Sequence, residues 1–600
     1  MSDEPQTGPL EPRPEQEPRR EQQPAPRHDV RDIAAPATRL VPALVATLTT
    51  ALLTALAFAP WLRPEAVLVL FVPVLWVTRG LGPRRRLWLG WICGLGLELA
   101  KTYWVGPAGA AVAHLPGWLG YVLTAVHAAF YGLELGLFAV VAGSRTLQRS
   151  PLWPLAAAAI WVAIEYFSPR IFPWFAGNAL HSWLFAVQSA SLLGVSWLSL
   201  LVVWWNATLL TIALALFGRR APWLMLAPAA APDRTESGRR LPALGVPLAI
   251  VLGVVIIANS VFGLVRLNAE TDAERAALRL VGPEASLKPV APAIRFAVVQ
   301  PNIIEDWWKA VSRKRRTAIF EQLVAFARAA VQRGASIVIF PEGVFPFHYQ
   351  SDGAPCVDME EDYCTYSKRF SARLRATVRA LGTVTLVLGS LRRDKTGHYN
   401  SAIVLSGPGG REQLYDKRVL LEFGETIPGR RTLEGIFGPL PLGRDLVEGT
   451  RSPRLRIGGR EASLSICYEA ILPRVMRTSS TELTRLLINL TSDEWFGDTP
   501  EPRFHLLLQQ MRSVELGVPL LRSANTGISA VVDRFGRLVA SSRLNSASTI
   551  LVDIDLDRAA RRPLYASLGE LIAWLSLVAS IAIGVGLYLD RRRTSSSSPA

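Results

Sequence analysis

"EASLSICYE", residues 461–469, combines a short apolar run with one thiol, Cys467, and a tyrosine-glutamate pair. The run predicts a β-strand that ends at the cysteine. A lone cysteine in this place can fill a core, bind a metal, form a disulfide or attack a substrate. The fold around the strand decides among these roles.

Short strands and amphipathic helices alternate on both sides of this stretch. Strands are predicted at IRFAVVQ (294–300), ASIVIFPEG (335–343), VTLVLGS (384–390), HYNSAIVLS (398–406), EQLYDK (412–417) and RLLINLTSDE (485–494). Helices are predicted over residues 311–333, 367–381 and 503–517. This alternation predicts an α/β domain built from layers of sheets and helices.

Three reactive side chains stand at the ends of predicted strands. Glu342 follows one strand directly, Lys417 ends a second, and Cys467 ends a third. Because the carboxyl ends of strands in such sheets meet at one edge, we expect the three side chains to lie close together. A cysteine thiol is mostly protonated at neutral pH, so Glu342 would take its proton. Lys417 would stabilise the thiolate and the oxyanion of a tetrahedral intermediate.

The other cysteines have more ordinary explanations. Cys93 lies in an apolar segment, where we expect it to pack. Cys356 and Cys364 share a polar loop, and outside the cytoplasm a disulfide between them is favoured over two exposed thiols. The spacings of the cysteines fit neither a CxxC pair nor a tetrahedral zinc site, so no metal and no other cofactor is expected.

Composition adds a membrane part to this domain. Half of the 600 residues are hydrophobic, and the mean hydropathy is +0.25. The net charge of +16 does not indicate nucleic-acid binding, because many arginines flank apolar segments instead of gathering on a folded face. Membrane spans are predicted at eight places: 40–60, 65–79, 87–106, 119–143, 151–167, 187–217, 243–266 and 567–589.

Positive charges orient these segments. Arginines are concentrated after the second, fourth, sixth and eighth segments, as is typical of cytoplasmic loops. Both termini are then cytoplasmic, and the region between the seventh and eighth segments lies outside the cytoplasm. Residues 1–38, rich in Pro, Glu, Gln and Arg, predict a disordered tail, and 590–600 form a second tail. The membrane part covers 39–266, the catalytic domain 290–560 and the last transmembrane helix 567–589.

Five stretches together resemble the apolipoprotein N-acyltransferase family, whose soluble domain belongs to the nitrilase superfamily. They are FPEGVFP (340–346), YDKRVLLEFGETIP (415–428), SICYEAILP (465–473), DEWFGD (493–498) and MRSVELGVPLLRSANTGISAVV (511–532). The resemblance, over about residues 40–590, implies a multi-pass α-helical membrane domain of about eight spans that carries an extracytoplasmic, nitrilase-like αββα sandwich. It also implies a location in the bacterial inner membrane, with the catalytic domain on the periplasmic side.

The resemblance assigns roles to matching residues. Glu342 would be the general base, Lys417 the oxyanion-stabilising lysine and Cys467 the nucleophile. Further residues match active-site or substrate-binding positions of the family: Glu425, Tyr468, Glu469, Asn400, Trp174, and Trp308 or its neighbour Trp307.

The family pattern is not matched at every position. Gly343 and Val344 follow the Pro-Glu pair where a small hydroxyl residue is usual, and Ser492 stands where asparagine is usual. Neither change removes a catalytic atom. Trp174 also has an alternative role as an interfacial anchor of the membrane part, which is common for tryptophan.

The implied reaction has two halves. Cys467 attacks an ester of a phospholipid, with phosphatidylethanolamine as the implied donor, and forms a thioester. The α-amine of a diacylglyceryl-cysteine apolipoprotein then takes the acyl chain. A membrane-tethered nitrilase-like amidase, which passes the acyl group to water, is the alternative.

A transporter or an inactive scaffold is a rival from another class. An inactive scaffold would lack one of the three reactive side chains, and none is missing. A transporter would pair ionisable groups within its spans. The candidates are Glu98 with Lys101, Glu134 and Glu165, and we expect them at the interface or on helix contacts.

Overall fold

The structure is a computed structural model, and it describes residues 40–58, 61–112, 116–217, 245–282, 289, 291–304, 311–357, 359–407, 412–438 and 445–596. The chain from Ala43 onward forms one compact unit. The predicted tail at 1–38 lies outside the described residues, as does the end of the predicted tail at 590–600.

Helices fill most of the chain up to Asn268 and return at its end. In chain order the helices are α1 (Leu40–Ala57), α2 (Val72–Val77), α3 (Pro83–Thr102), α4 (Val105–Val112), α5 (Gly117–Ala142), α6 (Arg145–Arg149), α7 (Trp153–Phe167), α8 (Leu184–Val187), α9 (Ala190–Leu193), α10 (Val195–Phe217), α11 (Gly245–Asn268), α12 (Asp272–Arg275), α13 (Arg313–Gln332), α14 (Glu361–Ala380), α15 (Arg430–Phe437), α16 (Pro473–Thr478), α17 (Glu501–Leu516), α18 (Leu556–Ala559), α19 (Tyr565–Leu568) and α20 (Leu571–Ser596).

In the described part of the chain, five helices are long and apolar enough to cross a membrane: α1, α5, α10, α11 and α20. Each of the other predicted spans also contains helix, but with differences. The second is divided between a 3-10 helix and α2. The helix of the third, α3, starts before the predicted span and has three arginines in its first turn, and the helix of the fifth, α7, has only 15 residues. Pro154 lies in the first turn of α7, where its missing N–H breaks no helical hydrogen bond.

The second half of the chain forms two sheets. Their strands are β1 (Leu278–Leu280), β2 (Ile294–Gln300), β3 (Ile337–Ile339), β4 (Thr385–Arg393), β5 (His398–Ser406), β6 (Glu412–Asp416), β7 (Arg454–Ile457), β8 (Arg460–Ile466), β9 (Thr484–Thr491), β10 (Leu520–Ala524), β11 (Ala530–Val532), β12 (Leu538–Ser541) and β13 (Ser548–Ile554). One sheet has seven strands in the order β1-β13-β2-β3-β4-β5-β6, and the other has six in the order β12-β11-β10-β9-β8-β7.

Three apolar cores show how the layers are stacked. The middle core joins the two sheets face to face and includes Val298 of β2 and Leu464 of β8. A second core packs α13 and α14 on the outer face of the seven-stranded sheet, and a third packs α16 and α17 near the outer face of the other. The predicted α/β layering is therefore confirmed as an αββα sandwich.

Local differences from the predicted elements occur around α14. The helix begins at Glu361, six residues before the predicted start. Its buried face carries Ser367 and Ser371 among the apolar residues, which hides the apolar period in the sequence. Cys364 therefore lies in the helix and not in a loop, and it forms a disulfide with Cys356 at a Cα–Cα distance of 5.9 Å. Cys93 is buried and unpaired, as expected for packing.

The sandwich and the helical part share one apolar core. Tyr468 and Ile471, just after Cys467, belong to the same buried cluster as residues of α5, α7 and α10. Met511 of α17 belongs to it as well. Burial of apolar surface favours this contact by roughly 25 cal/mol per Å². The reactive end of β8 therefore faces the helical part of the chain.

Candidate active site

The reactive trio is assembled from two sheets and not from one. β3 pairs parallel with β4, and β5 runs antiparallel to both β4 and β6, so β3 and β6 point the same way. Glu342 and Lys417 therefore follow the same edge of the seven-stranded sheet. Cys467 follows β8 of the other sheet. The predicted convergence is confirmed, but the prediction of a single sheet edge is wrong, because face-to-face packing brings the third strand end in.

Lys417 lies between two carboxylates. Its Nζ is 2.7 Å from Oε2 of Glu425 and 3.8 Å from Oε1 of Glu342, and its side chain is 1% exposed. Burial alone would lower the pKa of Lys417, but the charges of Glu425, Glu342 and the Cys467 thiolate together raise it above its usual value. The amine therefore carries its charge at neutral pH.

Asn400 joins the two glutamates. Its Nδ2 donates to Oε1 of Glu342 at 2.6 Å and to Oε1 of Glu425 at 2.8 Å. The backbone N–H of Leu421 donates to the other oxygen of Glu425 at 2.8 Å. The structure thus places Asn400 and Glu425 beside the trio, as the resemblance implied.

A backbone group holds the second oxygen of Glu342. The N–H of Ser492 donates to its Oε2 at 2.9 Å. The departure from asparagine at Ser492 therefore leaves this contact intact, because the main chain makes it. The departure at Gly343 falls on a residue with φ +67°, a conformation that glycine adopts without steric cost. Burial raises the pKa of Glu342, and the charge of Lys417 opposes that rise.

Cys467 has a strained backbone. Its φ is +51°, which costs an L-residue about 1–2 kcal/mol, and it begins a 3-10 helix, Cys467–Ile471. The side chain is half-buried. Burial and the Glu342 carboxylate raise the pKa of the thiol well above its usual value, with Lys417 opposing. At neutral pH the free thiol is therefore protonated and needs a base.

Glu469 connects the segment around Cys467 to the loop that carries Lys417. This fully buried carboxylate accepts from the N–H groups of Ile466, Arg418 and Val419 and from the hydroxyl of Tyr415, at 2.7–3.1 Å. It is thus occupied by structural donors. Tyr468 points away from this network, and its ring packs 6.2 Å from that of Phe172 in the helical part.

A polar network behind Cys467 was not predicted from the sequence. Asn489 Nδ2 donates to the carbonyl of Cys467 at 3.2 Å, and Asn489 Oδ1 accepts from Gln509 at 3.0 Å. Gln509 contacts His505, and both lie on α17. A lone asparagine within the apolar run of β9 was the available signal. The network ties the strained Cys467 to a helix that packs on the membrane part.

One acidic cluster in the described residues has a spacing suitable for a metal: Asp493, Glu501 and His505. The Nη2 atom of Arg522 lies 2.5 Å from Oδ2 of Asp493, and Nδ1 of His505 lies 3.1 Å from Oδ1 of Asp493. Burial would raise the pKa of Asp493, but Arg522 and His505 hold it at about 2. Because a guanidinium already neutralises this carboxylate, we assign the cluster a structural role.

The two tryptophans have different outcomes. Trp174 is buried, with 1% of its surface exposed, so the alternative role as an exposed interfacial anchor is wrong. It lies between Lys101 and Arg170, whose charged groups are 4.0 and 5.0 Å from its ring centroid. Trp308 and Trp307 lie outside the described residues.

Gly389 of β4 is required for the position of Glu342. A Cβ at this glycine would lie 2.5 Å from Glu342 Cα and 2.5 Å from Gly343 N. Gly389→Ala is therefore expected to displace the base and to reduce the rate of substrate acylation of Cys467 by ~100-fold, the usual cost of a misplacement of about 1 Å. Rapid-quench mass spectrometry measures this rate.

Gly435→Ala is the matched control, because Gly435 is exposed on α15 with open space around its Cα. It should change the rate less than about twofold. Wild-type acylation by Gly389→Ala would show that the loop of Glu342 does not depend on this close approach.

Comparison with known proteins supports the same reading of the whole chain. Residues 295–563 match the carbon-nitrogen hydrolase family, and residues 50–208 match the apolipoprotein N-acyltransferase N-terminal domain. An amidase of known structure from Nesterenkonia sp. is 20% identical, with a TM-score of 0.33 over 47% of this chain and 95% of that chain.

Similar full-length proteins carry one description. Apolipoprotein N-acyltransferase of Bradyrhizobium diazoefficiens is 30% identical over 587 residues, which cover 92% of this chain and 96% of that protein. Apolipoprotein N-acyltransferase of Sinorhizobium medicae is 31% identical over 521 residues, which cover 81% and 85%. Together with several helices able to span a membrane, these matches identify a bacterial membrane enzyme. The chain belongs to the apolipoprotein N-acyltransferase family.

Proposed function

We propose that the chain transfers an acyl group from a phospholipid to the α-amine of a diacylglyceryl-cysteine apolipoprotein, with Cys467 as the nucleophile. The observation that carries this proposal is the meeting of a half-buried thiol, a carboxylate and a buried ammonium at the face where the sandwich packs on the helical part. Both substrates keep their acyl chains in a bilayer, so a site at this face can act on them without extracting them.

In the first half-reaction Glu342 takes the proton of Cys467 while Sγ attacks the ester carbonyl. Lys417 stabilises the oxyanion, and Glu425 and Asn400 hold Lys417 and Glu342 in register. Collapse of the intermediate breaks the C–O bond. Glu342 returns its proton to the departing glycerol oxygen, which releases lysophospholipid and leaves a thioester. We infer that the sn-1 ester is used and that phosphatidylethanolamine is the donor.

In the second half-reaction the α-amine of the acceptor attacks the thioester carbonyl. Glu342 takes a proton from the attacking nitrogen, and Lys417 again stabilises the oxyanion. The C–S bond then breaks, the amide is released, and Cys467 regains its proton from Glu342. One group thus acts as base and then as acid in each half, as two-step acyl transfer requires.

The proposed topology places the sandwich, about residues 290–560, on the periplasmic side of the inner membrane. It has about eight spans, seven in 39–266 and one at 567–589. The arginine-rich connections and the disulfide between Cys356 and Cys364, a bond typical of oxidising compartments, support this orientation. Trp308, which lies outside the described residues, is proposed to bind substrate.

The proposed function is tested by acyl transfer in lipid nanodiscs. The acyl chain of phosphatidylethanolamine is labelled, and a synthetic diacylglyceryl-cysteinyl peptide serves as acceptor. We expect labelled triacylated peptide and a ping-pong pattern, with parallel double-reciprocal lines. An N-acetylated peptide, which lacks the free amine, is the matched control. Release of free fatty acid at the same rate with either peptide would instead favour the amidase.

The pH profile of thioester formation follows from the two raised pKa values. The reactive form has Glu342 ionised and Cys467 protonated. Because the pKa of Glu342 lies above its usual 4.5, the rate should fall as the pH drops through that raised value, while Glu342 gains a proton. Because the pKa of the thiol lies above 9.0, the rate should stay level between the raised pKa of Glu342 and the raised pKa of the thiol.

Single-turnover acylation at a series of pH values measures both the fall in rate at low pH, which is the acid limb of the profile, and the level region above it. A rate that climbs tenfold per pH unit all the way to the pKa of the thiol, with no level region below it, would contradict the assignment, since the rate would then follow the formation of thiolate and not the ionisation of Glu342.

A further inference from the structure

A second polar cluster lies among the helices next to the reactive trio. It is formed by α3, by α5 and by the connection after α7. The residues that line a narrow cavity in it include Glu98, Lys101, Arg170, Phe172 and Trp174. Charged side chains in a membrane part are costly, so their presence there indicates a function or a tight pairing.

The charges of this cluster are paired. Lys101 Nζ is 2.8 Å from Glu98 Oε1, and Arg170 forms a two-pronged ion pair with Glu134. Each of these side chains is at most 10% exposed. The expectation that the ionisable residues lie on helix contacts is confirmed for these pairs. Two cations and two anions leave the cluster neutral.

One donor in the cluster is not satisfied. Among the described residues the indole N–H of Trp174 finds no acceptor, although the residue is 99% buried. An unpaired buried donor costs about 1–3 kcal/mol. An indole nitrogen can only donate, so the group that satisfies it must bring an acceptor oxygen. An α-ammonium, which also only donates, does not fit.

One aromatic contact connects the cavity with the residue after Cys467. The ring of Phe172, which lines it, lies 6.2 Å from the ring of Tyr468, the residue after Cys467. The space admits a group about the size of one water molecule. The Lys101 ammonium lies over the ring of Trp174 and has three N–H groups, of which Glu98 takes one. An anionic oxygen would meet both donors.

We propose that this cavity receives one phosphoryl oxygen of the phospholipid, bound by the Trp174 N–H and the Lys101 ammonium. The proposal rests on the proposed function, because it concerns the donor of that reaction. It makes the phosphate ester, and not only the acyl chain, a determinant of the donor. The lysophospholipid product carries the same phosphate, so the cavity would bind the product as well.

Binding is measured first, in a Cys467→Ala background that cannot react. Phosphatidic acid and diacylglycerol with the same acyl chains are compared, since they differ only in the phosphate. Trp174→Phe removes the N–H and keeps a ring. We expect it to weaken the binding of phosphatidic acid by ~10-fold and to leave diacylglycerol unchanged, as for loss of a hydrogen bond to a charged group.

Trp153→Phe is the matched control, because Trp153 is a buried tryptophan of α7 whose N–H already donates to the carbonyl of Ala142 at 2.7 Å. It should leave the ratio of the two affinities at the wild-type value. An equal ratio in Trp174→Phe would overturn the proposal and would assign the Trp174 N–H to a bound water.

Thioester formation by the Cys467 protein is the second readout. Trp174→Phe should raise KM for phosphatidic acid and leave kcat unchanged, whereas a merely structural role would lower both lipids' rates together. A third readout is whether inorganic phosphate competes with phosphatidic acid in the wild type and not in Trp174→Phe. That result would support the phosphoryl site and would show that free phosphate binds it as well. Phosphate-selective lipid binding by a protein that forms no thioester would support the phosphoryl site and contradict the proposed function. The site and the function can therefore be disproved separately.

Discussion

Glu342→Gln is expected to slow thioester formation from phospholipid by ~10³-fold, within the usual range for loss of a general base. The carboxamide keeps the volume of the side chain but cannot take the proton of Cys467. It also cannot accept at both of its terminal atoms, although Asn400 and Ser492 each donate to one. Single-turnover acylation followed by intact mass measures the rate.

The residual reaction of Glu342→Gln has its own signature. The Glu342 charge is one cause of the raised thiol pKa, so its removal lowers that pKa. The remaining rate should therefore increase with pH as thiolate forms, and the acid limb of the wild type should be lost. Glu482→Gln, at an exposed residue of the same domain, is the control. Retention of more than about a tenth of the wild-type rate would exclude Glu342 as the base.

Lys417→Met is expected to have a comparable effect, for two reasons. Loss of one oxyanion donor costs ~10²–10³-fold in rate. Removal of the ammonium also leaves Glu425 and Glu342 buried without their cation, and breaking a buried pair destabilises a protein by about 3–5 kcal/mol. We therefore expect both a rate loss of ~10³-fold and a lower melting temperature.

The pH profile separates these two effects of Lys417→Met. The charge of Lys417 lowers the pKa of Glu342, so its removal should move the acid limb to higher pH. A change of stability alone would leave that limb in place. Lys368→Met, at an exposed position of α14, is the control and should leave rate, limb and melting temperature unchanged. An unshifted limb in Lys417→Met would contradict the proposed coupling.

The reactive trio could be predicted from the sequence because each member directly follows a strand. β-branched and apolar runs fix β3 and β8, and Glu342 and Cys467 come within three residues of their ends. The meeting of the two sheets could not be predicted in this way. It depends on face-to-face packing of residues such as Val298 and Leu464, and a strand pattern does not encode which face meets which.

The supporting residues were harder to find. Asn489 lies in an apolar strand, and only the packing of α17 on β9 explains why its amide reaches the Cys467 carbonyl. Trp174 is four residues from Arg170 in the chain, but Lys101 comes from α3, so no local pattern connects Trp174 with Lys101. The first six residues of α14, EDYCTY (361–366), contain one buried side chain, Cys364, so they show no apolar period from which its start could be predicted.

The proposed reaction depends on an acyl thioester at Cys467, and intact mass spectrometry detects this thioester. Wild-type protein and Cys467→Ser are incubated with phosphatidylethanolamine in lipid nanodiscs, without acceptor peptide. We expect an adduct on the wild type that has the mass of one acyl chain and that hydroxylamine removes at neutral pH. We expect no such hydroxylamine-labile adduct on Cys467→Ser. An unmodified wild type in a folded, lipid-embedded state, or the same labile adduct on both proteins, would contradict the assignment of Cys467 as the acyl carrier.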